Sequence, residues 1–149
     1  MPDDENPSNP MRLVGQVHRA FARRVDAPLR DIGFAMSQLP VLVALKKQGA
    51  LSQARLAQWA QVEQPSMAQL LGRMERDGLV QRVPDPDDRR SRLISLTAQA
   101  SARLAEGKAV MDGTSRQALA GFSKAEREQL ASLLLRVKSN LDNAAGGTD

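Results

Sequence analysis

The chain has 149 residues, 42 % of them hydrophobic, a net charge of +4, one histidine, and neither cysteine nor tyrosine. That length bounds it to one compact domain, or one domain carrying a dimerisation arm; without cysteine there is no disulfide framework, thiolate metal site or thiol switch. A lone histidine cannot supply the spaced nitrogen ligands of a metal centre, no run approaches the roughly 20 apolar residues that span a bilayer, and the acidic, proline-rich start MPDDENPSNP is unlike a secretory signal, so a cytoplasmic location is expected.

Residues 1–9 read as a loosely held tail, because prolines and an acidic cluster oppose packing. Asn9-Pro10 then offers a cap followed by proline in the first turn. Leu13, Val14, Val17, Phe21 and Val25 follow at helical spacing, which predicts a helix to about Ala27 that Pro28 kinks or ends. Residues 10–36 are expected to form an N-terminal dimerisation segment. In SQLPVLVALKKQG, length and punctuation favour a helix over a buried strand: Ser37 can cap it, Pro40 fits its first turn and Gly49 suits its end. A short helix after Ser52 turns Leu56, Ala57 and Ala60 inward, with Trp59 expected as a core anchor. The next helix starts near Pro65, carries Met67, Leu70, Leu71 and Met74 inward, and stops at Gly78.

Two alternating runs, residues 79–83 and 92–96, predict brief strands. Thr97 caps a long helix to about Ala120, whose straightness Gly107 and Gly113 put in question. Ser123-Lys-Ala-Glu126 is a capping-box pattern. It opens a helix whose apolar stripe is Leu130, Leu133, Leu134, Val137 and Leu141. That stripe is too apolar for a terminal helix covering a small domain, so it is expected to bury against a second copy of the chain. Residues 98–143 are assigned to linking and C-terminal dimerisation helices, with 144–149 a fraying tail.

Residues 53–80 group as a helix-turn-helix. The outward side chains of its second helix, Gln64, Ser66, Ala68, Gln69 and Arg73, are short, hydrogen-bond versatile or cationic. Gln can pair bidentately with adenine, Ser can approach several bases, and Arg reaches guanine or phosphate. An ordinary solvated face would carry more Glu and Lys. The hairpin directly after it describes a wing with the charged tip PDPDDRRSR. Two isolated strands are marginal in water and need a surface to lean on; beside a groove-reading helix, such a wing can put an arginine into the adjacent minor groove. Asp88 and Arg90 lie two residues apart, on the same side of an extended chain, so the carboxylate is expected to hold the guanidinium aimed. Asp85 and Asp87 are expected to shape the turn. The fold class is therefore mainly α: a winged helix-turn-helix over residues 37–97 with a two-stranded β wing, flanked by N- and C-terminal dimerisation helices.

The run from Leu51 to Thr97 resembles the winged helix-turn-helix of the MarR family of bacterial transcription regulators. LGRMERDGLVQRVPDPDDRRSRLISLT carries the resemblance through Arg73, Leu79, Val80, Pro84, Asp88, Arg89, Arg90, Leu96 and Thr97, and the likeness extends over about residues 10–142. It implies a homodimer, through Leu13, Val17 and the last-helix stripe, on pseudo-palindromic double-stranded DNA. Gln64, Pro65, Ser66, Ala68 and Gln69 would face base edges, Arg73 and Arg82 phosphates, and Arg90, with Asp88 and Arg89 at the wing tip, the minor groove. It also implies repression relieved by a small aromatic, anionic ligand, for which His18, Phe21, Met36 and Met111 are the candidates; no cofactor is expected. Glu63 departs from the Ser or Asn usual at the recognition-helix cap. Two alternatives stand beside this reading, a helical protein-interaction module and a DNA-binding regulator without a ligand. An enzyme would need a nucleophile–base or carboxylate pair in a cleft, and the sequence offers only scattered acids near arginines.

Overall fold

The computed structural model describes residues 8–145. Most of the expected N-terminal tail (residues 1–7) and the end of the C-terminal one (residues 146–149) lie outside the described residues. Six helices and one two-stranded antiparallel sheet follow in the order α1 (Pro10–Ile32), α2 (Leu39–Gln48), α3 (Gln53–Ala60), α4 (Gln64–Arg76), β1 (Val80–Asp85), β2 (Asp88–Leu96), α5 (Ala98–Ala118) and α6 (Lys124–Ala145), with a 3-10 turn at Met36–Gln38 before α2. The fold is a mainly helical winged helix. Two compact units divide after Thr114.

The start of α1 is as the sequence predicts: the Met11 N–H donates to Asn9 Oδ1 over 2.9 Å, with proline in the first turn. Its end is not. Pro28 does not end the helix, which continues to Ile32 and closes on Gly33 at φ 93°. Proline removes one donor from an α-helix, but Pro28 sits on the exposed side while Val25 and Leu29, fully buried, anchor the helix on either side of it. Burial of a Leu and a Val contributes a few kcal/mol, about the cost of an interior proline.

Ser37 does not cap α2; it lies within the 3-10 turn, and the residue before the helix is Gln38. Gln38 is the one polar residue in the core of the described residues, 7 % exposed. Its burial is tolerated because its amide is satisfied: Oε1 accepts from the Ala35 N–H (2.8 Å) and Nε2 donates to Asp77 Oδ2 (3.4 Å), tying the entry of α2 to the end of α4.

The core of the first unit is one cluster drawn from α1, α2, α3, α4, the wing and α5, including Leu29, Leu42, Leu56, Met67, Leu71, Met74, Ile94 and Leu104. The wing is longer than the alternating runs suggest. It rests on this core through Val80 and Ile94, and Leu51 completes its base by exchanging backbone hydrogen bonds with Ile94 (2.9 and 2.7 Å). Thr97 caps α5 as expected, accepting from the Ala100 N–H while its hydroxyl donates to the Gly78 carbonyl. Helix α5 runs unbroken through Gly107 and Gly113. Trp59 is not a core anchor: Leu56, Ala57 and Ala60 take the inward face of the two-turn α3, and Trp59, off that face, is 47 % exposed.

In the second unit, Ser123 and Glu126 form the reciprocal capping box: the Ser123 N–H donates to Glu126 Oε1 (2.9 Å) and the Glu126 N–H to Ser123 Oγ (3.1 Å). Among the described side chains of α6, none is buried.

Candidate nucleic-acid interface

Helix α4 is positioned by a tight link. Gln61 adopts a left-handed conformation (φ 56°) at the end of α3, the only non-glycine residue with positive φ among the described residues, and Glu63 precedes α4. The Glu63 side chain makes no capping hydrogen bond, and Pro65 occupies the first turn. Over 13 residues, about 20 Å of helix, Met67, Leu71 and Met74 are buried and fix the inward face. At 100° per residue, Pro65, Gln69, Gly72 and Arg76 then point away from the core. Ser66 and Arg73 flank them on one edge and half-buried Ala68 lies on the other, while Gln64, seven residues before buried Leu71, shares its stripe and is exposed at the helix start. The outermost strip is free of acids, with Glu63 and Glu75 outside it.

The structure thus places the predicted Pro65, Ser66, Gln69 and Arg73 on the outward side of α4 with Ala68 at its edge, sets Gln64 apart on the stripe of Leu71, and adds Arg76 and Gly72, which sequence reasoning missed. The signal was present, since residue 76 follows residues 69 and 73 at helical spacing.

The wing places its arginines by a break in strand register. Val80 pairs with Leu96, Val83 with Leu93 and Pro84 with Arg92, but Asp85 pairs with Asp88. Residues 89–91 of β2 therefore face no residue of β1. A bulge of this kind leaves extra residues unpaired and re-aims their side chains. Asp85 shapes the turn by accepting from the Asp87 N–H (2.9 Å), while Asp87 contributes only that N–H.

Asp88 holds the bulge, by a different contact from the expected one. Its Oδ1 accepts from the backbone N–H of Arg90 (3.0 Å) and its Oδ2 from the Ser91 hydroxyl (2.9 Å). It therefore sets the backbone from which the Arg90 side chain projects and does not grip the guanidinium. These bonds, the Arg90 N–H first and Ser91 second, hold the Asp88 carboxyl below its ordinary value. Arg89 and Arg90 are exposed and make no ion pair with the described residues. Arg82 differs: its Nε lies 3.0 Å from Glu75 Oε2, an ion pair linking β1 to α4. Its charge is already partly balanced, which weakens its claim as a phosphate ligand.

Of the predicted ligand residues, His18 is exposed on α1, while Phe21, Met36 and Met111 are partly buried against the common core. None of the four lines a cleft of about 460 Å³ between the 3-10 turn and α4, which is lined by Ala35, Ser37, Gln38, Leu70, Arg73, Arg76 and Asp77. Among the described residues, no group of His, Asp or Glu could hold a metal ion, and no helix is long and apolar enough to cross a membrane.

The sequence model of the MarR family matches residues 34–91, from Phe34 in the core to the wing bulge. Solved structures similar to the chain include a probable transcriptional regulator from Pseudomonas aeruginosa, at 30 % identity over 87 % of this chain and 97 % of that one (TM-score 0.78). The transcriptional regulator PA3341 is 32 % identical over 88 % and 96 % (TM-score 0.71). A MarR mutant from E. coli complexed with operator DNA shares the fold at 21 % identity over 92 % and 98 % (TM-score 0.79). With the family match spanning the helix-turn-helix and wing, and relatives of 30 % identity or more aligned over nearly their whole length, the chain belongs to the MarR family.

Proposed function

We propose that this chain is a homodimeric, sequence-specific DNA-binding regulator that represses transcription and leaves its operator when a small aromatic carboxylate binds. The observation that carries the reading is the acid-free outer strip of α4 beside a bulged wing that displays Arg89 and Arg90. Gln69 and Ser66 suit base edges, Arg73 and Arg76 suit phosphates, and an arginine held out on a wing suits the strong negative potential of a narrow minor groove. The E. coli MarR mutant of the same fold is complexed with operator DNA, which supports DNA as the partner here.

The dimer is supported by apolar surface. Leu130, Leu133, Leu134 and Leu141 of α6 are 38–59 % exposed, Val137 is half-buried in the same stripe, and Met11, Leu13, Val14 and Val17 are exposed on the first half of α1. Contiguous apolar rows of this kind mark association surfaces, and a twofold pair of winged helices would address a pseudo-palindrome. The second half of α1 does other work, since Val25 and Leu29 belong to the core of the first unit. For the effector, the cleft beside α4 offers two guanidiniums, Arg73 and Arg76. A carboxylate there would compete with DNA for Arg73, which couples binding of the two ligands with opposite sign.

The test is selection of genomic fragments by the purified full-length protein, followed by titration of the selected site at two salt concentrations. A single preferred sequence with inverted symmetry, bound more weakly as salt rises, is expected. Thermal-shift screening of benzoic and phenolic acids should find ligands that raise the melting temperature and lower operator affinity. Retention of no preferred sequence would overturn the DNA-binding reading. Failure of the acids across a broad panel would remove the effector alone.

A further inference from the structure

The wing is tied to the rest of the first unit at its base and at one point further out. At the base, Val80 and Ile94 are buried, Leu51 exchanges backbone hydrogen bonds with Ile94, and the Thr97 N–H donates to the Leu79 carbonyl (3.1 Å). Between α4 and β1 the chain passes only through Asp77, Gly78 and Leu79, with Gly78 in a left-handed conformation (φ 73°). Val80 and Arg82, two residues apart, lie on the same face of β1, and Arg82 pairs across the sheet with buried Ile94. There the apolar contact ends and a charged one replaces it. Arg82 Nε lies 3.0 Å from Glu75 Oε2, in the last turn of α4.

Among the described residues, the other three ion pairs each join neighbours four apart on one helix. Glu75–Arg82 alone joins two elements, and they are the two that the DNA-binding reading assigns to the major and minor grooves. A pair this exposed, 40 % and 47 % at the side chains, contributes little to folding. Its position gives it a different use. Pro86, at the wing tip, is four residues beyond Arg82, about 13 Å of strand. A tilt of about 10° at Arg82 would carry the tip about 2.3 Å, more than a third of the roughly 6 Å width of a minor groove.

We infer that Glu75 and Arg82 are a positioning pair for DNA binding: they form a strut that holds the wing against α4, so that Arg90 meets the minor groove while α4 occupies the major groove. Neither residue need touch DNA for this. A wing already held in the free protein leaves less ordering to be done when DNA binds. The inference rests on the DNA-binding reading above and makes Arg82 a strut in place of the phosphate ligand expected from the sequence.

The test is a set of double-mutant cycles with Arg90, a residue with which neither member of the pair shares a hydrogen bond or ion pair. The factor by which Arg90→Ala weakens binding of the selected operator is measured in the full-length wild type and in Glu75→Ala, Glu75→Gln and Arg82→Ala. In Glu75→Ala and Arg82→Ala that factor should shrink by roughly threefold per half-site, the scale of an exposed ion pair, because a wing that is not held gains less from its arginine. Glu75→Gln loses the same charge as Glu75→Ala but keeps an oxygen that accepts from Nε, so it should keep most of the factor. Each free variant should melt within about 4 °C of the wild type, since the pair adds little to the fold.

A phosphate-ligand role for Arg82 predicts otherwise: Glu75→Ala would tighten binding by freeing the guanidinium, and the Arg90 factor would not change. An Arg90 factor equal to the wild-type one in both Glu75→Ala and Arg82→Ala overturns the proposal and leaves the DNA-binding reading standing. Equal reduction of the factor in Glu75→Gln and Glu75→Ala would make charge the cause in place of position, and overturns it too. A wild type that gains nothing from Arg90 overturns the strut together with the wing's role, while selection of no operator overturns the DNA-binding reading itself.

Discussion

Gly107→Ala is expected to destabilise the protein, although it replaces a glycine within a helix by the best helix former. A Cβ at Gly107 would fall 2.9 Å from Phe34 Cδ2, 3.1 Å from Phe34 Cε2 and 3.3 Å from Leu39 Cδ2. Both neighbours are core side chains, each 4 % exposed, so neither can swing into solvent to make room. Helix propensity favours alanine by about 1 kcal/mol, whereas forcing a methyl into a packed core costs about 1–3 kcal/mol. A ring carbon inside 3 Å places the clash in the upper part of that range, leaving a net loss of about 1–2 kcal/mol. For a chain of this size that lowers the melting temperature by roughly 2–8 °C. Gly72 in α4 is the internal control. A Cβ there meets nothing within 4 Å, so Gly72→Ala should gain up to about 1 kcal/mol. Urea unfolding at fixed protein concentration reads both. In a Phe34→Leu background, where the ring is gone, the Gly107→Ala penalty should shrink, a coupling that a double-mutant cycle detects. Equal or greater stability of Gly107→Ala, or an undiminished penalty in Phe34→Leu, would refute the packing argument.

Asp88→Ala should weaken operator binding even though it removes a negative charge beside DNA, because the bulge loses its hold on the Arg90 N–H and the Ser91 hydroxyl; tighter binding in gel-shift titrations would contradict this. The Asp88 carboxyl is held below its ordinary value, so its support of the bulge is complete above the unfolded value of 3.8 and is lost only as pH falls through the lower folded one. Operator affinity near neutral pH should therefore not report its titration. Leu134→Asp should give a monomer in sedimentation and lose operator affinity without touching a DNA contact, because linked half-sites bind far better than single ones. Glu126 is likewise depressed, by the Ser123 N–H first and then the Ser123 hydroxyl. Its cap contribution is present above the ordinary glutamate value of 4.5 and is lost as pH falls through the lower folded value. Glu126→Gln should remove that part of the acid destabilisation, measured as the difference in urea midpoint between neutral and acid pH.

The helices were legible where an apolar period coincided with local punctuation. Asn9, Ser52, Thr97 and the Ser123–Glu126 box each cap the helix they announced, because capping is decided by residues within one turn. Pro28 misled because the local cost of proline was set against burial of Leu29 and Val25, which depends on partners distant in sequence. Trp59 misled for the reverse reason: an aromatic residue suggests core, but the short α3 has room inward only for Leu56, Ala57 and Ala60. The wing was legible as a hairpin from its alternation, yet its register break was not, since pairing of Asp85 with Asp88 follows from the turn and not from any pattern of polarity. The Asp88–Arg90 relation was visible as a spacing, while the atom contacted, backbone and not guanidinium, was not. Gln38 escaped notice because a single polar residue carries no periodic signal; its role arises from Asp77, brought close by the fold.

Whether α4 and the wing read DNA together, with Arg90 held out to the minor groove, is decided by titrating the selected operator with wild-type protein and Arg90→Ala at two salt concentrations. Arg90→Ala should lose roughly 1–3 kcal/mol of binding per half-site and show a shallower dependence on salt, since fewer counterions are released. Wild-type affinity and an unchanged salt slope in Arg90→Ala would mean that the wing is ordinary solvated surface.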